Sequence, residues 1–343
     1  MKLVASADFH IGESLPGVDR FDSIEQVFSF AKIKGADYLV VAGDIYDHLM
    51  VSNILRARFN LLIKKASQFT KIVLLNGNHD VGGKTTSLAP IESLVGDNIR
   101  IISKPSVIRM GGNHVLFIPY TKKMDEGRDR LHGIIKKFEG DYDFVFGHFS
   151  VDGVKVGPSN FTLSSGVSRG FLRDNIRSDY IVLGHIHKPQ SAGNVIYCGS
   201  PDYLDFGERN ESKRFLYFND QGMESIPVLN KELCQVEVGP DGIRGEITKG
   251  AIFKVVVKCR KDEVSKIDLP AVSEKIREAG GKIIKLTWNV APIPRRRAKR
   301  IDFRKSLKFN IREYITNFAS KKDRKEILRL VKEVWDAASS TKN

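Results

Sequence analysis

The chain has 343 residues, 41% hydrophobic and 28% charged, enough apolar material for the cores of two or three globular domains. Asp8 and His10 interrupt the apolar start before a signal-peptide core could form, and no apolar run is long enough to span a bilayer. The formal net charge of +14 is uneven: residues 291–343 carry 16 Lys+Arg against 6 Asp+Glu, so that the first 290 hold 39 against 35. A basic tail on a near-balanced body points to an anionic partner, nucleic acid first, with a merely solvated charged surface as the alternative. Cys198, Cys234 and Cys259 are odd in number and scattered, which argues against a disulfide framework or a thiolate metal site and fits a reducing cytosol.

From Met1 to about Asn219, apolar runs of strand character alternate with helical patterns. Lys2–Ser6, Asp37–Ala42, Lys71–Asn76, Tyr142–Phe146 and Asp179–Leu183 read as strands. His114–Ile118, Val195–Cys198 and Arg214–Phe218 join them. Ile24, Val27, Phe28 and Ala31 give Asp22–Lys34 the i, i+3, i+4, i+7 spacing of a helix. Ser52–Ser67, starting at a cap, and Asp125–Phe138 are two more. The simplest assembly is an α/β fold, a two-layer β core flanked by helices.

Beyond residue 230 the pattern changes. Strand-like Cys234–Val238 and Ile252–Cys259 precede a helix over Leu269–Ala279, stopped by Gly280-Gly281, and then a strand over Lys282–Asn289. This predicts a small α+β capping domain. Ala291-Pro292-Ile293-Pro294 forms a stiff break before the basic run 295–300, RRRAKR, which would contact DNA phosphates, support partner binding or serve only as a linker. Two amphipathic helices end the chain. Phe303, Leu307, Ile311, Tyr314, Ile315 and Phe318 stripe the first, while Ile327, Leu328, Val331, Val334, Trp335 and Ala338 stripe the second. Ser320 to Asp323 makes a capping start between them. A lone helix pair buries little, so the stripe needs a surface in this chain or another. The expected division is 1–220, 221–290 and 291–343.

Five motifs follow the strand-like runs: Asp8-Phe9-His10, Gly43-Asp44-Ile45-Tyr46-Asp47, Gly77-Asn78-His79-Asp80, Gly147-His148 and Gly184-His185-Ile186-His187. Donors just past the ends of several strands converge on one sheet edge, where open α/β folds place their chemistry. Oxygen and imidazole donors without thiolate suit Mn, Fe, Mg or Zn at a hydrolytic site. Asp44 is assigned as the bridge between two cations. Asp8, His10 and one of His185 and His187 complete one ion; Asn78, His148 and the other histidine complete the second. Such a pair makes hydroxide from water and neutralises phosphate oxygens during in-line attack. His79 follows a ligand directly, so its ring should face substrate and protonate the leaving oxygen or stabilise the transferring phosphoryl group. Asp47 and Asp80 are expected to accept from imidazoles and fix their tautomers. His48, His114 and His132 read as structural or exposed. Gly82-Gly83-Lys84-Thr85 mimics a nucleotide phosphate loop, but with Gly77 as first glycine the spacing is one residue too long.

The motif series resembles that of the calcineurin-like metallophosphoesterases over about residues 1–220. Within them the chain is most similar to the SbcD-type nuclease subunits of SbcCD DNA-repair complexes, which also carry a segment like Tyr197-Cys198-Gly199-Ser200-Pro201 after the last motif. The compact length is similar to that of phage-encoded members. The resemblance implies metal ligands at Asp8, His10, Asp44, Asn78, His148, His185 and His187, with His79 as the catalytic histidine. Where some members have a further histidine three residues after the bridging aspartate, this chain has Asp47, with His48 one residue later. The resemblance further implies two Mn²⁺ ions, 3′-to-5′ exonuclease action on duplex DNA, and endonuclease action on single strands. Implied partners are DNA, an SbcC-type coiled-coil ATPase docked on residues 301–343, and a second copy of the chain. The rival readings are a phosphatase or cyclic-nucleotide phosphodiesterase on the same site, and a DNA-binding scaffold with a silent site. Against the phosphatase, Asp47 is followed by His48-Leu49 and the third motif ends in Asp80.

Overall fold

The computed structural model describes all residues except 13–14, 16–17, 84, 93–95, 293–301, 303, 321 and 341–343, and describes residues 318 and 338–340 by backbone alone. The chain forms two compact units, Met1–Val257 with Ile267–Asn289, and Lys258–Lys266 with Val290–Asn343.

The first unit begins with β1 (Leu3–Ser6), α1 (Phe21–Lys34), β2 (Tyr38–Val41), α2 (Asn53–Ala66) and β3 (Lys71–Leu75). Then come β4 (Ile99–Ile102), β5 (Ser106–Met110), β6 (Asn113–Ile118), α3 (Arg128–Lys137) and β7 (Phe144–His148). They are followed by β8 (Tyr180–Gly184), β9 (Gln190–Ala192), β10 (Val195–Tyr197), β11 (Arg214–Asn219) and β12 (Gly222–Pro227). One six-stranded sheet has the order β12-β11-β1-β2-β3-β4, the other β9-β10-β8-β7-β6-β5. At the centre of the first, β1, β2 and β3 run parallel, with Ser6 beside Val41 and Val41 beside Leu74. In the second, β6, β7 and β8 run parallel, with His148 beside Gly184.

The alternation of side chains along each strand builds three apolar layers. Leu3, Ala5, Val40, Val73 and Leu75 of one sheet pack against Phe117, Phe146, Val182 and Ile196 of the other. Their neighbours Val4, Leu39, Val41, Ile72 and Leu74 face the buried stripes of α1 and α2. Leu116, Val145, Ile181 and Leu183 face Leu131, Ile135 and Leu172 on the opposite outer side. Strands buried on both faces explain why these segments read as unbroken apolar runs.

Local signals fix the helix ends. The Ser52 hydroxyl accepts from the Leu55 amide at the start of α2, and Gly35, at φ 58°, terminates α1 in the left-handed conformation. The helix expected over Asp125–Phe138 is shorter. Lys122–Glu126 is a tighter 3₁₀ turn, and Gly127, at φ 114°, breaks the chain before α3. A positive φ cannot continue an α-helix, and a pattern of apolar residues alone does not reveal it. The first sheet also extends through Pro227, past the boundary drawn at 220.

A four-stranded sheet follows, from β13 (Leu233–Gly239), β14 (Gly242–Arg244), β15 (Ile252–Arg260) and β16 (Lys282–Ala291), in the order β14-β13-β15-β16. Between β15 and β16 lies α4 (Leu269–Glu278), capped by Asp268 and followed by Gly280 at φ 71°. In the second unit, α5 (Leu307–Phe318) starts at Ser306, whose hydroxyl accepts from the Phe309 amide. α6 (Arg324–Ser340) follows Ser320, which accepts from the Asp323 amide as the capping pattern predicts. Leu307, Phe309, Tyr314, Leu330 and Val334 are exposed. The RRRAKR run, Lys84, Phe303 and most of the proline break lie outside the described residues. Among the described residues, no helix is long and apolar enough to cross a membrane.

Candidate metal centre

The five motifs converge at the C-terminal ends of the parallel strands of both sheets. The loops after β1 and β2 are stitched together, since the Asp8 amide donates to the Gly43 carbonyl and the His10 amide to the Asp44 carbonyl, each at 3.0 Å. Asp8, His10, Asp44 and His185 all have positive φ, between 43° and 86°. For residues other than glycine this conformation costs about 1–3 kcal/mol each, and Asp and His tolerate it better than most. It turns each side chain out of the strand direction and into the common site. Close approach of backbone completes the packing. A Cβ on Gly77 would lie 2.1 Å from both the amide nitrogen and Oδ1 of Asp44.

Three groups of donor atoms lie within 4.8 Å of one another: Asp8, His10 and His187; Asp8, Asp44 and His148; and His10, Asp47 and His79. His148 Nε2 is 3.3 Å from Asp44 Oδ2 and 3.0 Å from Asn78 Oδ1, and His185 Nδ1 is 2.8 Å from the same Asn78 oxygen. His10 Nε2 lies 3.5 Å from Asp44 Oδ2. The rings of His10 and His187 stand edge to face with centroids 4.9 Å apart, as do those of His148 and His185 at 5.3 Å. His187 therefore groups with Asp8 and His10, while His185 groups with Asn78 and His148. All seven expected donors come together, with Asp44 between the two groups.

Hydrogen bonds fix which ring nitrogens face inward. His148 Nδ1 is 2.8 Å from the Ala42 carbonyl, which can only accept, so Nδ1 carries the proton. In the neutral ring Nε2 then presents a lone pair toward the Asn78 and Asp44 oxygens. Facing acceptors require a cation between them. The buried Nε2 of His10 likewise has no hydrogen-bond partner. The donor set and these two atoms fit a pair of divalent ions.

The electrostatics agree. Burial works to raise the Asp44 carboxyl, but His148 and His10 beside it and the His79 amide hold it far below the usual range. Burial likewise opposes charge on His148, yet Asp44 and then Asp8 push it up to about 9. His185 is brought down to about 3 by burial and the neighbouring His148. Burial raises Asp8.

Two further aspartates behave differently from each other. Asp47 Oδ1 lies 3.2 Å from His10 Nδ1, the expected imidazole contact. Asp80 touches no imidazole. Its buried carboxylate accepts from the amides of Ile45, Tyr46 and Gly77 and from the Ser87 hydroxyl, at 2.9–3.1 Å, and so ties the loop after β2 to the loop after β3. That corrects the expectation: Asp80 lies behind its own loop, where backbone amides reach it first. Burial and the Asp44 charge push it up to about 6.

His79 is exposed at the rim, its ring centroid 4.7 Å from that of His10. Its Nδ1 is 2.6 Å from the Asp47 carbonyl, so this nitrogen donates and Nε2 is left for a ligand. A cleft of about 230 Å³ adjoins His148 and His185, lined also by Tyr120, Asp125, Arg128 and Ser165. His48 and His114 are exposed, and His132 stacks on Phe171. The Gly82 segment forms a two-residue hairpin with Thr85–Thr86. Sequence reasoning missed Glu208 and Lys213, which lie against His187 and belong to no spaced motif.

The chain matches the calcineurin-like phosphoesterase family over residues 1–189. It is similar to the SbcD subunit of the SbcCD nuclease of Staphylococcus epidermidis, 25% identical over 272 residues, covering 69% of this chain and 72% of that protein. The SbcD protein of Escherichia coli is 26% identical over 280 residues, covering 68% and 69%. Exonuclease subunit 1 of Enterobacteria phage T4 is 26% identical over 233 residues, covering 64% of this chain and 65% of its own length.

Proposed function

Since the chain belongs to the calcineurin-like phosphoesterase family, we propose that it is a DNA nuclease subunit carrying two divalent metal ions, Mn²⁺ first. The carrying observation is the convergence of seven oxygen and imidazole donors beside a rim histidine whose Nε2 faces outward. Asp8, His10 and His187 would hold one ion, Asn78, His148 and His185 the other, with Asp44 shared. Bound there, the ions supply hydroxide from water and charge neutralisation at the phosphate. The chain's own residues do the rest. Asp47 holds the proton on His79 Nδ1 through its carbonyl, so that Nε2 is the atom that carries a proton to the leaving oxygen or hydrogen-bonds the phosphoryl group. Asp47 also orients His10 through its carboxylate.

The reading extends to 3′-to-5′ cleavage of duplex ends and cleavage within single strands. The names of the relatives support the DNA substrate and an SbcC-type ATPase partner. Residues 1–220 act as the catalytic domain and 221–290 as its cap. Residues 291–343 serve as basic linker and docking helices, a role supported by the exposed apolar residues of α5 and α6.

The test uses end-labelled duplex and single-stranded DNA with Mn²⁺, Mg²⁺ or EDTA, beside a small phosphodiester and a phosphomonoester. Cleavage should vanish with EDTA and fall about 10²–10⁴-fold in His79→Ala with metal binding intact. Hydrolysis of the small esters with DNA untouched would instead establish a phosphatase or small-molecule phosphodiesterase. Removal of residues 301–343 should leave metal-dependent cleavage and abolish ATPase binding; unchanged binding would sink the docking role.

A further inference from the structure

Behind His187 lies a buried chain of charges. His187 Nδ1 is 3.2 Å from Glu208 Oε1. The other oxygen of Glu208 accepts from Lys213 Nζ at 2.7 Å and from the Leu204 amide at 2.9 Å. The Lys213 side chain is fully enclosed. Its ammonium also donates to Glu211 Oε2 at 3.0 Å, Ser200 Oγ at 3.0 Å and the His187 carbonyl at 3.3 Å. The Ser200 amide donates to that same carbonyl at 3.1 Å.

These contacts also explain the Cys198-Gly199-Ser200-Pro201 turn. Gly199 has φ 74°, and a Cβ there would come within 2.7 Å of the His187 carbonyl and 2.6 Å of Pro189 Cγ. Only glycine lets the turn pass beneath His187 so that Ser200 and Lys213 reach its carbonyl. His187 is thus held at two points, its backbone by Ser200 and Lys213, its ring by Glu208.

We infer that Lys213 and Glu208 are positioning residues that set the tautomer and orientation of His187 for cation binding. The inference rests on His187 being the metal ligand proposed above. A carboxylate on Nδ1–H leaves the Nε2 lone pair facing the site and makes the ring a stronger donor. Lys213 keeps Glu208 from turning away, because the lysine is locked between two carboxylates and two neutral acceptors. Stability alone does not account for the arrangement, since an apolar replacement of a buried ion pair is often no less stable.

The test measures Mn²⁺ binding to the full chain by calorimetry and electron paramagnetic resonance, together with ¹⁵N shifts of His187 in the metal-free protein. His187→Ala should weaken one of two Mn²⁺ sites. Glu208→Ala and Lys213→Met should each weaken that same site by about 10–100-fold, leave the other unchanged, and remove the fixed Nδ1–H tautomer. Glu208→Gln, whose carbonyl can still accept, should recover part of the loss. The double variant of Lys213→Met with Glu208→Ala should be no worse than Glu208→Ala. Folded Lys213→Met and Glu208→Ala proteins with both affinities within about twofold of the parent would overturn the relay while leaving the ligand assignment standing. Unchanged binding in His187→Ala would overturn the ligand assignment, and the relay with it. Should Lys213→Met fail to fold, the two Glu208 variants, which leave Lys213 paired with Glu211, decide the matter.

Discussion

Adding one methyl group at Gly77 should disable the centre without touching a donor atom. The new Cβ would sit 2.1 Å from the amide nitrogen and Oδ1 of Asp44, where ordinary contact begins at 3.4 Å. Neither neighbour can yield cheaply. The first is backbone, and the second belongs to a carboxylate held by the His79 amide and lying beside His148 and His10. The loops after β2 and β3 must therefore part by about 1 Å, which costs roughly 10²-fold in a reaction that depends on positioning. Overpacking of this kind costs about 1–3 kcal/mol of stability, or roughly 2–12 °C in Tm at this size. Gly133→Ala is the matched control. It lies within α3, nothing stands within 4 Å of its Cβ, and its φ is not left-handed. Its helix should gain up to about 1 kcal/mol. The assay pairs thermal unfolding in EDTA with Mn²⁺ titration and DNA cleavage for both variants. Gly77→Ala protein that binds two ions with parental affinity and cleaves within about threefold of the parent would refute the claim that the centre is set by loop contact.

Thiol reactivity should follow burial. Cys198 is fully buried and its thiol pushed up to about 12 by that burial, whereas Cys234 is half-exposed. Native protein should therefore react fastest at Cys234, and a fast phase that survives Cys234→Ser would contradict this. At the start of α4 the Asp268 carboxylate accepts from the Ala271 amide at 3.0 Å. Asp268→Ala should cost about 1 kcal/mol in denaturant unfolding with no effect on metal affinity; a coupled loss of Mn²⁺ binding would contradict a purely local cap.

The amino-acid sequence alone determined the site's composition and its place in the fold. Each motif closes an apolar run, and parallel strands buried on both faces carry their chain ends to one edge, so Asp8, Asp44, Asn78, His148 and His185 had to meet there. Ser52, Ser320 and Gly280 marked helix ends for equally local reasons. What lay beyond sequence were directions and distant partners. The i, i+2 spacing of His185 and His187 predicts two rings on one side of the chain, but the left-handed φ of His185 is what sends that ring to Asn78 while His187 joins Asp8 and His10. Asp80 was placed among imidazoles by proximity in sequence, and its loop instead folds the carboxylate onto three backbone amides. Gly127 breaks a helix that periodicity alone carried straight through. Glu208 and Lys213 reach His187 from the far side of the last motif, and no spacing rule links them. Composition and period follow from neighbours along the chain, whereas the partner of a charged side chain depends on which segments the tertiary fold brings within about 3 Å of it.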